Sequence, residues 1–138
     1  MGYTVSEFKF TDTNDVAAVT QAAAAASDVI YIPTDNTAAS CTETIYGAMT
    51  GDKTPIVAGE EGICKGCGVA TLSISYYDLG YATGKMAAKI LRGEAKVGEM
   101  PVEFASATTK KYNADICKEL GITPPEGYVA IVTEETAE

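Results

Sequence analysis

The side chains most able to do chemistry in this 138-residue chain stand in short polar clusters, each directly after an apolar run. Thr34-Asp35-Asn36 follows Val29-Ile30-Tyr31-Ile32-Pro33. Gly59-Glu60-Glu61-Gly62 follows Ile56-Val57-Ala58, and Thr11-Asp12-Thr13-Asn14 follows a stretch in which Val5, Phe8 and Phe10 alternate with polar residues. Carboxylates, amides and hydroxyls of this kind hold a polar ligand; transforming one asks for more. The chain has no His, so the commonest general base and every Ser-His or Cys-His pairing are excluded. Ala82-Thr83-Gly84-Lys85 lacks the upstream glycine and the following hydroxyl of a phosphate-cradling loop. No catalytic residue is assigned, and no cofactor.

The candidate ligand-binding residues are Thr34, Asp35, Asn36, Glu61 and Tyr76. A carboxylate at Glu61 could hold an ammonium through a charge-assisted hydrogen bond, with Glu60 expected to point elsewhere. Asp35 and Asn36 offer acceptors and an amide, Thr34 a hydroxyl, and Tyr76 an aromatic face for stacking. Each has a plainer reading. Asn36 or Thr37 caps a helix well, a glutamate in a glycine turn is ordinarily solvated, and the pair Tyr76-Tyr77 at a helix start suits half-buried packing. Capping accounts fully for Asp12, Thr13 and Asn14.

Four cysteines leave the redox compartment open. Cys64-Lys65-Gly66-Cys67 has the spacing of a redox motif or half a zinc site, but the second pair that a structural zinc site needs is lacking. The expectation is a glycine-flanked loop leading into a strand over residues 68–74, with the cysteines as small core residues or a local disulfide. No metal site is assigned.

Nineteen acidic residues against ten basic ones give a net charge of −9. Nucleic-acid binding needs a basic surface and is excluded on that ground, as is membrane attachment through a basic patch. The proportions of hydrophobic (46%) and charged (21%) residues are those of a soluble globular domain. No apolar run approaches the roughly 18 residues of a membrane span. Met1-Gly2-Tyr3 does not begin a signal peptide, so the expectation is a cytoplasmic chain or a piece of a longer protein.

Elements that would position the clusters can be read from periodicity. Residues 4–10 alternate as a strand, and a helix over residues 14–26, capped by Asp12 or Thr13, carries an alanine run. Residues 29–32 suit a strand buried on both faces. A helix begins near Thr37 or Ser40 and ends at residues 49–51 with Gly51 as C-cap. Residues 54–58 make a third strand with Pro55 at its start. This β-α-β-α-β order predicts an α/β fold with a parallel sheet, whose strand-end edge is where such folds place ligands. Residues 77–91 read as an amphipathic helix closed by Arg92-Gly93, residues 100–105 as extended, and residues 110–120 as a short helix. The acidic end, residues 134–138, is expected to fray.

Taken in order, several segments resemble a known family: Ile32-Pro33-Thr34-Asp35-Asn36, Gly68-Val69-Ala70-Thr71-Leu72, Tyr76-Tyr77-Asp78-Leu79-Gly80, Ala87-Ala88-Lys89-Ile90-Leu91-Arg92-Gly93-Glu94, Met100-Pro101-Val102-Glu103, then Tyr112-Asn113 with Glu119-Leu120-Gly121-Ile122. The family is the substrate-binding components of ABC transporters of the tryptophan/tyrosine type, which have the type I periplasmic binding protein fold. The resemblance implies a parallel-sheet, three-layer lobe of that fold, incomplete, with an amino-acid ligand clamped between two lobes and delivered to a membrane permease. It further implies an extracytoplasmic or lipid-anchored full-length protein about twice this length.

On that reading residues 1–74 form a ligand-binding lobe and residues 75–97 a helix packed on the other, missing lobe. Residues 98–138 return to complete the first lobe, and the truncated chain is expected to dimerise. Cys64-Lys65-Gly66-Cys67 departs from the family pattern. The alternative is a receiver-like acidic signalling domain or another flavodoxin-like α/β domain, in which Asp35 would accept a phosphoryl group. Lys65 lies in the wrong place for that chemistry.

Overall fold

In the computed structural model, residues 2–49, 53–105 and 107–132 are described. The chain divides into two compact units, residues 1–72 with 110–138, and residues 73–109.

The first unit is built on short parallel strands with helices between them. Helix α1 (Val16–Ala26) leads to strand β1 (Ile30–Ile32); helices α2 (Asn36–Ser40) and α3 (Thr42–Ala48) lead to β2 (Ile56–Ala58), and α4 (Glu61–Cys67) leads to β3 (Ala70–Ile74). After helix α5 (Tyr76–Leu91) and a 3₁₀ turn (Val97–Glu99) come β4 (Thr108–Tyr112), α6 (Ala114–Glu119) and β5 (Val129–Ala130). The sheet order is β1-β2-β3-β4-β5. β1 pairs parallel to β2 with Ile30 opposite Ile56, β2 parallel to β3 with Ala58 opposite Thr71, and β4 parallel to β5 with Lys111 opposite Val129.

The parallel α/β core expected from the apolar runs is present, with four departures. Residues 2–10 form no strand: alternation makes a strand only where a ladder partner exists, and Tyr3 and Val5 lie more than four-fifths exposed while only Phe10 packs on the core. β1 therefore stands at the sheet edge, and it is covered on one face alone. Ile30 and Ile32 pack on the core, whereas Tyr31 is 65% exposed beside its register partner Val57.

The cysteine motif lies in a helix. Glu60 caps α4, its carboxylate accepting from the backbone N–H groups of Gly62 (2.8 Å) and Ile63. Ile63, Cys64 and Cys67 fall on one helical face and are buried. Gly66 reads as a loop residue but serves packing, because a Cβ there would lie 2.2 Å from the Thr42 hydroxyl oxygen. Close approach of α3 outweighs the low helix propensity of glycine. Finally, residues 110–112 belong to β4, and the helix begins only at Ala114, where the Asn113 side chain accepts from the N–H groups of Asp115 and Ile116.

Smaller differences concern helix ends. The N-cap of α1 is Asp15, while Asp12 closes a local turn by accepting from the Asn14 N–H at 2.8 Å. The second expected helix is two, broken at Cys41. Gly51 as a C-cap and the frayed acidic end lie outside the described residues.

The core of this unit joins Val16, Ala38, Ile45, Met49, Ile56, Ala58, Ile63, Cys64, Cys67 and Ile131. A second cluster of Val69, Ile116 and Cys117 gathers Tyr112, Leu120 and Ile122 around it. Buried Asn113 ties the two together: its amide donates to the carbonyls of Cys64 (3.3 Å) and Lys65 (2.8 Å), so all its hydrogen-bonding groups are used.

The second unit is dominated by α5. Ser75 caps it, accepting from the Asp78 N–H at 3.1 Å, with Asp78 in the first turn and Lys89 in the last, as the helix dipole favours. No residue of this helix is buried.

Candidate functional site

The strand ends of β1 and β2 are held against each other by backbone. The Gly59 N–H donates to the Ile32 carbonyl at 2.8 Å and the Thr34 hydroxyl donates to the Gly59 carbonyl at 3.3 Å. A Cβ on Gly59 would sit 2.7 Å from the Thr34 nitrogen, so only glycine allows this approach. Thr34, Asp35 and Asn36 from one strand end and Glu60 and Glu61 from the other therefore share one edge of the sheet.

Within that edge the roles are distinct. Asp35 is the N-cap of α2, accepting from the Ala38 N–H at 2.8 Å; the expected cap, Asn36, is instead the first residue of the helix and is exposed. Glu60 is consumed by capping α4. Glu61, the first residue of α4, turns to Lys111 on β4: the ammonium donates to both carboxylate oxygens, at 2.6 and 2.7 Å. Periodicity gave no reason to single out Lys111, since the two residues are far apart in sequence. Tyr76 opens α5 in the second unit and is 58% exposed.

A second charged group lies apart from this edge. The Tyr46 hydroxyl donates to Glu119, Lys53 donates to the other Glu119 oxygen at 2.8 Å, and the Lys53 ammonium lies 3.6 Å from the Tyr46 ring centroid. The hydrogen bond from Lys53 holds the Glu119 carboxyl below the usual range. The group ties α3 to α6 and is explained by that.

Three of the four cysteines, Cys64, Cys67 and Cys117, are buried in the core. All four are free thiols. Burial, the largest cause, pushes Cys64 and Cys67 up to about 12, and raises Cys117, leaving the unreactive protonated form at neutral pH. The expected role as core residues holds, and the local disulfide is not formed. Among the described residues no group of three or more His, Cys, Asp or Glu side chains is placed to hold a metal, and no helix is long and apolar enough to cross a membrane.

Polar strand ends gathered at one sheet edge are where open α/β folds hold small ligands. The chain belongs to the ABC transporter substrate binding protein family, whose profile matches residues 1–136. It is 37% identical over 93 residues to a tyrosine-binding protein of Clostridioides difficile (strain R20291), a match that spans 67% of this chain and 27% of that one. Among solved structures it resembles an ABC domain from Streptococcus pneumonia in complex with L-Trp. The TM-score is 0.83 at 34% identity, over 95% of this chain and 46% of that one. A ligand-free, open substrate binding protein with adhesive properties from Clostridium difficile aligns at a TM-score of 0.69 and 36% identity, over 91% of this chain and 43% of the other. The chain thus spans less than half the length of these relatives. Family membership sets aside the receiver-like alternative.

Proposed function

We propose that this chain is the C-terminal portion of a solute-binding component of an ABC importer, which binds an amino acid with an aromatic side chain and performs no chemistry on it. The observation that carries the reading is the likeness, over nearly the whole chain, to a domain solved with L-Trp, together with the polar edge formed by the ends of β1 and β2. Glu61 holds the ligand's ammonium, Thr34, Asp35 and Asn36 supply further polar contacts, and Tyr76 stacks on the aromatic ring.

In the longer polypeptide, residues 1–74 and 98–138 form one lobe, and the helix within residues 75–97 packs on the other. The ligand closes the two lobes by contacting both. The full-length protein works outside the cytoplasmic membrane, free or lipid-anchored, and hands its ligand to the permease. The 138-residue chain by itself forms a homodimer through the apolar residues of α5.

The test is a titration of the full-length protein with the L-amino acids, followed by calorimetry and thermal shift. L-tryptophan or L-tyrosine should bind and raise the melting temperature, and Glu61→Ala should weaken that binding more than about tenfold, the worth of a charge-assisted contact. Binding of neither amino acid would overturn the reading; unchanged affinity in the folded variant would remove Glu61 from the site.

A further inference from the structure

The Glu61 carboxylate is not empty-handed. Both of its oxygens accept from the Lys111 ammonium, and the two side chains retain only 40% and 29% of their exposure. The pair lies at the end of β2, where α4 begins. Beside it is a hydroxyl with nothing to do: Thr71 is 1% exposed and its Oγ1 has no hydrogen-bond partner among the described residues. The Asn113 N–H donates to the Val69 carbonyl and the Thr109 hydroxyl to the Ser73 carbonyl. These two contacts, running in opposite senses along β3 and β4, put Thr71 opposite Lys111.

One anion and one cation, both partly withdrawn from water, define which ligand can enter at low cost. A lone ammonium would displace Lys111 from Glu61 and strand a cation. A lone carboxylate would draw Lys111 away and strand Glu61, and a partly buried charge without its partner is compensated by water only in part. A zwitterion replaces one ion pair by two and strands nothing.

We propose that Lys111 is a specificity-determining residue: the Glu61–Lys111 pair opens to take the ligand's ammonium on Glu61 and its carboxylate on Lys111. The site then reads the α-amino acid head as a unit and rejects the matching amines and acids by leaving one of its own charges unpaired. The inference rests on the amino-acid reading above and deepens it.

The experiment measures calorimetric affinities of the full-length protein for L-tryptophan and L-tyrosine. Each is compared with its decarboxylated amine and its deaminated acid, in wild type, Lys111→Met and Lys111→Arg. Wild type should prefer the amino acid over both analogues by at least about tenfold. Lys111→Met should weaken the amino acid about tenfold while leaving the amine unchanged or tighter, so that the preference over the amine collapses, and Lys111→Arg should keep it. Lys111→Gln replaces the methionine variant if that one loses its unfolding transition.

Equal loss for all ligands, or an unaltered preference in a folded neutral variant, overturns the role of Lys111 while leaving the amino-acid reading standing. So does a wild type that binds amine and amino acid alike. A wild type that binds neither amino acid overturns both.

Discussion

The two units of this chain differ in what holds them. The first encloses a continuous core from Val16 to Ile131 and satisfies its buried Asn113 in full. Among the described residues of the second only Ser73 is buried, and Tyr77, Tyr81, Leu91 and Phe104 are all more than three-fifths exposed. Yet α5, at 16 residues, is the longest helix of the molecule's described part. Local signals such as the Ser75 cap are sufficient to define such a helix, but they do not stabilise it, because helices of this length are marginal in water without an apolar face to pack. A buried core and a well-formed helix are therefore separate products of one sequence, and α5 contributes no residue to the core.

That contrast can be broken in several ways. The largest effect should come from comparing the 138-residue chain with the full-length protein. A pocket normally buries about 70–90% of a small ligand, and one wall cannot. L-tryptophan affinity should fall at least about a thousandfold, to the millimolar range or beyond detection, and micromolar binding by the short chain in calorimetry would contradict it.

Next, truncating the two units should have unequal cost. Ile63→Ala, at a fully buried site of the first unit, should destabilise by about 2–5 kcal/mol in urea unfolding. Leu91→Ala, at a site 87% exposed in the single chain, should change stability by no more than about 0.5 kcal/mol at dilutions where the chain is monomeric. The proposed α5 dimer should appear as an added Leu91→Ala loss that grows with protein concentration, and no such growth would count against it.

The last effect is on pH. Cys64 and Cys67 are raised from 9.0 to about 12 in the folded state, so the native chain keeps protons that the unfolded chain gives up. The thiols' contribution should be intact below pH 9 and fall as pH climbs from 9 toward 12, by up to about 1.4 kcal/mol per pH unit for each thiol. Cys64→Ala with Cys67→Ala should flatten that slope in urea titrations at stepped pH.

The sequence made part of this legible for simple physical reasons. Residues 29–32 and 54–58 are apolar runs bounded by polar clusters, and both contain strands that pair in parallel, because burial and turn chemistry are written locally. The strand expected at residues 4–10 shows the limit: alternation records a face, while a ladder needs a neighbour that periodicity does not name. α4 was hidden because Gly62 and Gly66 read as loop, and the reason for Gly66 is the Thr42 side chain, which lies in another helix. In the site, Glu61 and the Thr34-Asp35-Asn36 cluster could be picked out by type and place. Asp35 as cap in preference to Asn36 depended on backbone geometry, and Lys111 depended on a partner fifty residues away. Contacts of that range are set by the register of the folded sheet.

The three core thiols bear on where such a protein can work. On the proposed reading it functions outside the membrane, among oxidants that turn exposed cysteines into mixed or mismatched disulfides. Cys64, Cys67 and Cys117 are sealed in the core and held in the un-ionised form, and oxidative exchange begins from the thiolate. Folding itself then acts as the protecting group. A chain that closes its core before meeting oxidant shields these three thiols, whereas one delayed during export would expose them to cross-linking. On that reading the order of those two events would set how much of the protein reaches its folded form.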